Sequence, residues 1–300
     1  MARELGVSRA LLYYRAKIPE KDELLRRQIE EVMEQNPGYG SPRVALALKI
    51  NEKRAARVMR KFSLKPARRA KRKPHKPLDE GREALSYSNI LGKLSPIAPN
   101  VAWASDFTFI SFGGYFVYLC TVLDVFTGEV LGFNISRCHD ADFVKVAIKR
   151  ALQKTDGVLP EYFHSDQGSE YASQTIRGWL QGLGAKISMN PKGSPWCNGS
   201  QESFFGRFKV EFGDSSRFEV LADLLEALYE HLDYFSNRRI KTKLKMSPLE
   251  FRILWHERQK ELNSFLPSLS TGYQSPPYAE LRSATPSRSF GTEETDATTI

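Results

Sequence analysis

Apolar positions along the chain change period near residue 98, from helical spacing to strand alternation. In the N-terminal part, Gly6 and Ser8 suit a turn and a cap ahead of a short helix ending at Arg15. From 20 to 35, Leu24, Leu25, Ile29, Val32 and Met33 recur near helical spacing among charges, which predicts an amphipathic helix. Asn36-Pro37-Gly38-Tyr39-Gly40 ends it. Ser41 is the expected cap of a second helix with Pro42 at its first position. Asn51 is the expected cap of a third, with Ala55, Val58, Met59 and Phe62 toward a core. Residues 65–97 lose periodicity and collect Pro66, Pro74, Pro77 and Pro96, so they read as a linker. Strands are expected at 101–110, 115–125 and 129–135, joined by turns at Gly113-Gly114 and Thr127-Gly128. There follow a helix over 141–153, a strand at 162–166, a helix over 173–183 and a strand at 185–189. Helices over 200–212 and 220–238 come after a Gly- and Pro-marked loop at 191–199. Meander, helix, strand, helix, strand, helix is the order of an α/β domain whose mixed sheet is covered on both faces. Residues 262–300, rich in Ser, Thr and Pro, are expected to be disordered.

Composition narrows the class. With 300 residues, 41% hydrophobic and 26% charged, the chain can bury a core and build more than one domain. No stretch approaches the ~20 apolar residues of a membrane span, and the first residues lack the apolar run of a signal peptide. Cys120, Cys138 and Cys197 are widely spaced, which argues against a disulfide framework or a thiolate zinc site and suits a reducing, cytoplasmic setting. The net charge is +9, and its distribution says more than its size. Residues 53–78 hold twelve Lys or Arg and no acid, Arg54, Arg57, Lys61, Arg68 and Arg69 among them. Such a run suits a phosphate backbone, whose condensed counterions it would release. The bland alternative is a solvated basic face on a helical bundle.

Three acidic residues stand where charge is unusual. Asp106 interrupts an otherwise apolar strand, flanked by Trp103, Phe107 and Phe109. Asp166 ends the fourth strand in His164-Ser165-Asp166-Gln167-Gly168-Ser169-Glu170-Tyr171, facing the crevice where α/β sheets bind ligands. Glu202 opens the helix after the loop, with thirty-five residues between it and Asp166.

These segments resemble the catalytic subunit of bacterial insertion-sequence transposases, which share the retroviral integrase core. The resemblance is carried by Trp103-Ala104-Ser105-Asp106-Phe107-Thr108, by the run from His164 to Tyr171, and by the run from Lys192 to Lys209 with its spacing to Glu202. Tyr234-Phe235-Ser236-Asn237-Arg238-Arg239 and Ser247-Pro248-Leu249-Glu250 are similar to the segment closing that domain, and Gly38-Tyr39-Gly40 and Asn51-Glu52-Lys53-Arg54 to the preceding helix-turn-helix. The loop Ser194-Pro195-Trp196-Cys197-Asn198-Gly199 departs from the commonest family version.

The resemblance implies a ribonuclease H-like α/β core, a mixed five-stranded sheet with flanking helices, preceded by an α-helical helix-turn-helix domain. It divides the chain into a DNA-binding region at 1–64, a basic linker at 65–97, a catalytic core at 98–260 and a disordered tail at 261–300. It implies DNA strand cleavage and transfer, with Asp106, Asp166 and Glu202 holding two Mg²⁺ or Mn²⁺ ions. Arg54, Arg57, Lys61, Arg68, Arg69, Lys192, Asn198, Arg207 and Lys209 are the expected DNA contacts. The expected partners are DNA, further copies of the chain, and an upstream-frame helix-turn-helix partner or fusion; no membrane is expected. A plain nuclease of this fold and a non-catalytic DNA-binding remnant are the competing functions. Simpler roles go to Asp124 as a hairpin cap, Glu170 as a loop-ordering group, His164 as a packed imidazole, and Phe204, Phe205 and Phe208 as core, with Trp196 able to stack on a base.

Overall fold

The computed structural model describes residues 6, 18–67, 89–92, 94–190 and 198–265. The expected helix ahead of Arg15, most of the linker, and all but the first residues of the tail lie outside these. Among the described residues, no helix is long and apolar enough to cross a membrane.

Strands β1 (Ala102–Phe112), β2 (Tyr115–Asp124) and β3 (Val130–Ser136) form the expected meander. Gly113 and Gly114 both take positive φ, which lets a two-residue turn match the strand twist. Helix α4 (Ala141–Lys154) crosses over to β4 (Tyr162–Ser165). Helices α5 (Ser169–Ala172) and α6 (Gln174–Gly182) lead to β5 (Lys186–Met189). One helix was expected where α5 and α6 stand; extended Ser173 breaks the run and caps α6 by accepting from the Ile176 amide. The sheet order is β3-β2-β1-β4-β5, antiparallel through the meander and parallel from β1 to β4 to β5. Helices α7 (Gly199–Phe212), α8 (Leu221–Asn237) and α9 (Pro248–Phe265) complete the domain. Helix α9 runs into the stretch expected to be disordered. Phe126 against Phe251 and Trp255, and an ion pair from Arg252 to buried Glu129, hold it to the core.

Alternation along β1 sends its residues to two cores. Trp103 faces one with Phe143, Ile148, Tyr171 and Leu180, under α4 and α6. Ile110 and Phe112 face the other with Phe204, Phe208, Leu228 and Leu232, under α7 and α8. A Cβ at Gly132 would overlap the backbone of Ala147 and Ala151, so β3 admits α4 only through that glycine.

The N-terminal unit packs α1 (Ile18–Gln35), α2 (Ser41–Ala47) and α3 (Glu52–Lys61) around Leu25, Ile29, Val44, Ala55 and Val58. Asn51 caps α3, accepting from the Lys53 amide at 2.8 Å. At α2 the cap position is Gly40 rather than the expected Ser41, which is already helical. The unit sits against the ends of α7 and α8. Tyr234 donates to Asn36 Oδ1 at 2.7 Å, and the Ile240 amide donates to the Tyr39 hydroxyl at 2.6 Å. Between them Arg239 and Glu211 pair through two 2.6 Å bonds, with side chains 2% and 4% exposed. A Cβ at Gly38 would collide with the Glu211 carboxylate, so only glycine lets the unit approach this closely.

Two predictions follow from these contacts. Arg239→Ala leaves the Glu211 carboxylate buried beside only the distant Arg43 (3.9 Å), and stability falls by roughly 3–5 kcal/mol, read as a lower urea midpoint. His231 packs against Phe208 and Phe212, and its Nε2 is buried without a hydrogen-bond partner. Burial pushes its pKa down to about 4, with Glu211 opposing and Arg239 and Arg217 assisting. The unfolded chain therefore takes up the proton first as pH falls. Stability is complete above about pH 6.5 and is lost toward pH 4, by at most about 3 kcal/mol. His231→Gln flattens that part of the urea-midpoint profile.

Candidate functional site

The parallel pairing of β1 with β4 sets Ala102 beside Tyr162, Trp103 beside Phe163 and Ala104 beside His164. Asp106 stands two residues further along β1, and Asp166 directly follows the end of β4. The pairing ends at Ala104 and His164, so both acids lie just beyond it, and the charge of Asp166 is felt at Asp106.

Asp106 Oδ1 accepts from the Phe107 amide at 2.8 Å. Burial and then the charge of Asp166 raise its pKa to about 7; Glu202 adds to this, while the Phe107 amide and Lys209 oppose it. Burial also raises Asp166, against the Gly168 amide donating at 2.9 Å, and Glu170 adds repulsion. A Cβ at Gly168 would press on both Asp166 and Glu170, so the loop is shaped around these two acids. Glu170 is itself buried, and burial works to raise it. Its own amide, His139 Nδ1 at 2.7 Å and Ser169 at 3.1 Å outweigh that and keep it below the ordinary carboxylate range.

Glu202 is exposed in the first turn of α7. It lines a cleft of about 510 Å³ between α7 and the N-terminal unit, with Gly38, Arg43, Pro66 and Arg207. Its charge is felt at Asp106. Among the described residues, no three Asp, Glu, His or Cys side chains close into one metal-binding group.

Sequence reasoning missed what holds Glu202 in place. Gln201, next to Glu202, is fully buried. Its Nε2 donates to Ala104 O at 2.7 Å and Thr121 O at 3.2 Å, and its Oε1 accepts from Thr121 at 3.1 Å. The first turn of α7 is thereby tied to β1 two residues before Asp106. A polar residue beside Glu202 was the only signal of this in the sequence.

The expected DNA contacts divide. Arg54 is exposed on α3. Arg57 instead makes bonds of 2.5 and 2.7 Å to Asp22, and Lys61 adds one of 3.0 Å, tying α3 to α1. Those bonds hold the Asp22 carboxyl well below its usual range. Asn198 is buried at the cap of α7, and neither amide atom has a hydrogen-bond partner among the described residues. Arg207 lines the cleft, and Lys209 Nζ lies 5.1 Å from the Phe109 ring centroid. Arg68, Arg69, Lys192 and Trp196 lie outside the described residues. The residues given simpler roles take them. Asp124 accepts from the Thr127 amide and hydroxyl and from the Asn100 amide, His164 pairs with Ser188, and Phe204, Phe205 and Phe208 are core.

Two family models, both described as the integrase core domain, match residues 96–195 and 202–254. The chain is 32% identical over 263 residues to the putative transposase InsK of insertion sequence IS150 from Escherichia coli, covering 84% of this chain and 92% of that one. It is 28% identical to the transposase of IS904 from Lactococcus lactis, covering 76% and 93%. Among solved structures, the HTLV-2 integrase catalytic core domain in complex with magnesium overlays at a TM-score of 0.44 and 18% identity, covering 53% of this chain and 99% of that one.

Gln201→Leu removes all three amide hydrogen bonds, to the Ala104 and Thr121 carbonyls and from the Thr121 hydroxyl, in a buried setting. It is expected to cost about 1–3 kcal/mol in a urea titration, and unchanged stability would contradict the tie described here.

Proposed function

The chain belongs to the integrase-core transposases of bacterial insertion sequences, and on that premise we propose that Asp106, Asp166 and Glu202 are the groups with which it cuts and joins DNA. The enzyme is a polynucleotidyl transferase. The observation that carries the assignment is the β1–β4 register, which brings two carboxylates together at a strand end with Glu202 close enough to be felt by Asp106.

The donor set fits hard divalent cations. Carboxylate oxygens suit Mg²⁺ or Mn²⁺, and the repulsion that the charge of Asp166 exerts on Asp106 is what a bound cation would relieve. Asp106, Asp166 and Glu202 are the residues that would hold the ions. Bound there, the ions would supply the charge relief that in-line displacement at phosphorus needs.

The chain's own residues hold and orient. Gln201 and the β1–β4 register set the carboxylates, and Lys209 and Arg207 offer positive charge to the phosphates of the DNA end. In cleavage, water oxygen attacks phosphorus, the bond to the 3′ oxygen breaks, and that oxygen leaves as a hydroxyl. In joining, the freed 3′-hydroxyl attacks a target phosphodiester and displaces its 3′ oxygen. No covalent bond to the protein is needed in either step. Arg54 and the basic run beyond it, with Arg68 and Arg69, grip the DNA backbone, and Lys192 contacts it beside the active site, while buried Asn198 shapes the start of α7. In this reading residues 1–64 read the element end, 65–97 link, and 98–260 carry the chemistry. Pairing two ends calls for at least two copies of the chain on DNA, with an upstream-frame helix-turn-helix partner or fusion strengthening end binding.

Strand transfer with labelled element ends tests the assignment. Asp106→Asn, Asp166→Asn and Glu202→Gln are each expected to lower joining and cleavage roughly a thousandfold or more while DNA binding persists. Chelating the divalent ions should do the same to the unaltered chain. Joining that survives Asp106→Asn would sink the assignment, and hydrolysis without joining would reduce the enzyme to a nuclease.

A further inference from the structure

Two phenylalanines stand exposed on the β1–β2 hairpin. Phe109 is 55% and Phe116 50% exposed, and their rings meet edge to face at 5.0 Å. Phe109 lies opposite Tyr118 and Ser111 opposite Phe116, so the two rings are diagonal neighbours on one face. Isolated exposed apolar side chains are ordinary. Here the pair is joined by a cation, because Lys209 Nζ lies 5.1 Å from the Phe109 ring centroid. The same lysine counts among the charges acting on Asp106.

Strand alternation puts Phe109 on the face away from Asp106, yet the two sites are continuous. β4 pairs only with Ala102–Ala104, so among the described residues no strand covers that edge of β1 beyond Ala104. Lys209, from the helix on the Asp106 side, reaches past this edge to the aromatic pair. Along the strand, Phe109 is about 10 Å from Asp106.

We propose that Phe109 and Phe116 form a stacking platform for the terminal nucleobase of the DNA strand held at Asp106 and Asp166, with Lys209 beside it on the phosphate. The proposal rests on the function given above. Its occupant follows from chemistry. A flat aromatic face beside a cation matches a base with its phosphate. Within a duplex both faces of a base are already stacked, whereas the last base of a broken strand has one face free. Two rings beside a charge are too small a patch to bury a protein partner.

The test uses the full chain, Ca²⁺ in place of Mg²⁺, and a short duplex with a 3′-overhanging 2-aminopurine. Wild-type protein should quench the 2-aminopurine. Phe109→Ala should abolish the quench and weaken binding about tenfold, and Phe109→Tyr should restore both. A duplex with an abasic overhang should bind wild type and Phe109→Ala alike. Circular dichroism and thermal unfolding identify any variant that fails to fold, and Phe116→Ala repeats the test from the second ring. Equal quenching and binding by folded Phe109→Ala and wild type would overturn the platform. So would variants that change sedimentation mass but not quenching, which would make the patch a contact between copies. Because the quench needs no chemistry, a wild-type chain that quenches but joins no ends would leave the platform standing and sink the function above. One that joins ends without Phe109-dependent quenching would overturn the platform alone.

Discussion

The parallel register between β1 and β4 is the constraint on which the site depends. Parallel neighbours cannot be joined by a tight turn, so α4 must cross over and pack on the sheet before the strands can align. The first core holds that crossover, with Trp103 and Phe163 from adjacent strands against Val144, Ala147 and Ile148. Ser105 adds a polar tie, sharing a 2.8 Å hydrogen bond with the Tyr171 hydroxyl from the segment after Asp166. A slip of one residue in β1 would turn Asp106 to the other face and Trp103 out of its core. The apolar packing and the placement of the acids thus enforce one another.

Charge is treated differently here from elsewhere in the molecule. Buried Glu129 meets Lys154 and Arg252, Glu211 meets Arg239, and Asp22 meets Arg57 and Lys61. Asp124 lacks a salt bridge but accepts two bonds from Thr127 and one from Asn100. Asp106 and Asp166 each accept an adjacent amide and otherwise stand among like charges, Asp106 near Asp166 and Glu202 and Asp166 near Glu170. The fold's other buried acids are met by cations or by several hydrogen bonds, whereas Asp106 is left beside like charge, a setting that favours a bound cation.

The buried Glu211–Arg239 pair links this chemistry to the N-terminal unit. It lies at the far end of the helix that Glu202 begins, and Gly38 and Tyr39 close over it. The cleft lined by Glu202 has one wall from each part, so docking of the helical unit bears on the space around that carboxylate.

Much of this was legible in the chain itself, because it rests on local rules. The meander follows from alternation and a Gly-Gly turn, the helices from period and caps, and the three acids from their flanking motifs. What local rules do not reach is who meets whom across long separations. Arg57 and Lys61 read as free basic residues because Asp22, which binds both, lies far back along the chain. The role of Gln201 is not visible in the sequence because its burial exists only once α7 packs on β1 and β2. Helix α9 went unassigned because Phe126 and Glu129, which anchor it, belong to the turn before β3. The sequence alone determined which elements form and which residues carry unusual charge, through steric and hydrophobic preferences acting over a few residues. Only the tertiary structure decided that Asp106 and Asp166 stand side by side and that some cations are already taken, because pairing register and ion-pair choice are settled by contacts between distant segments.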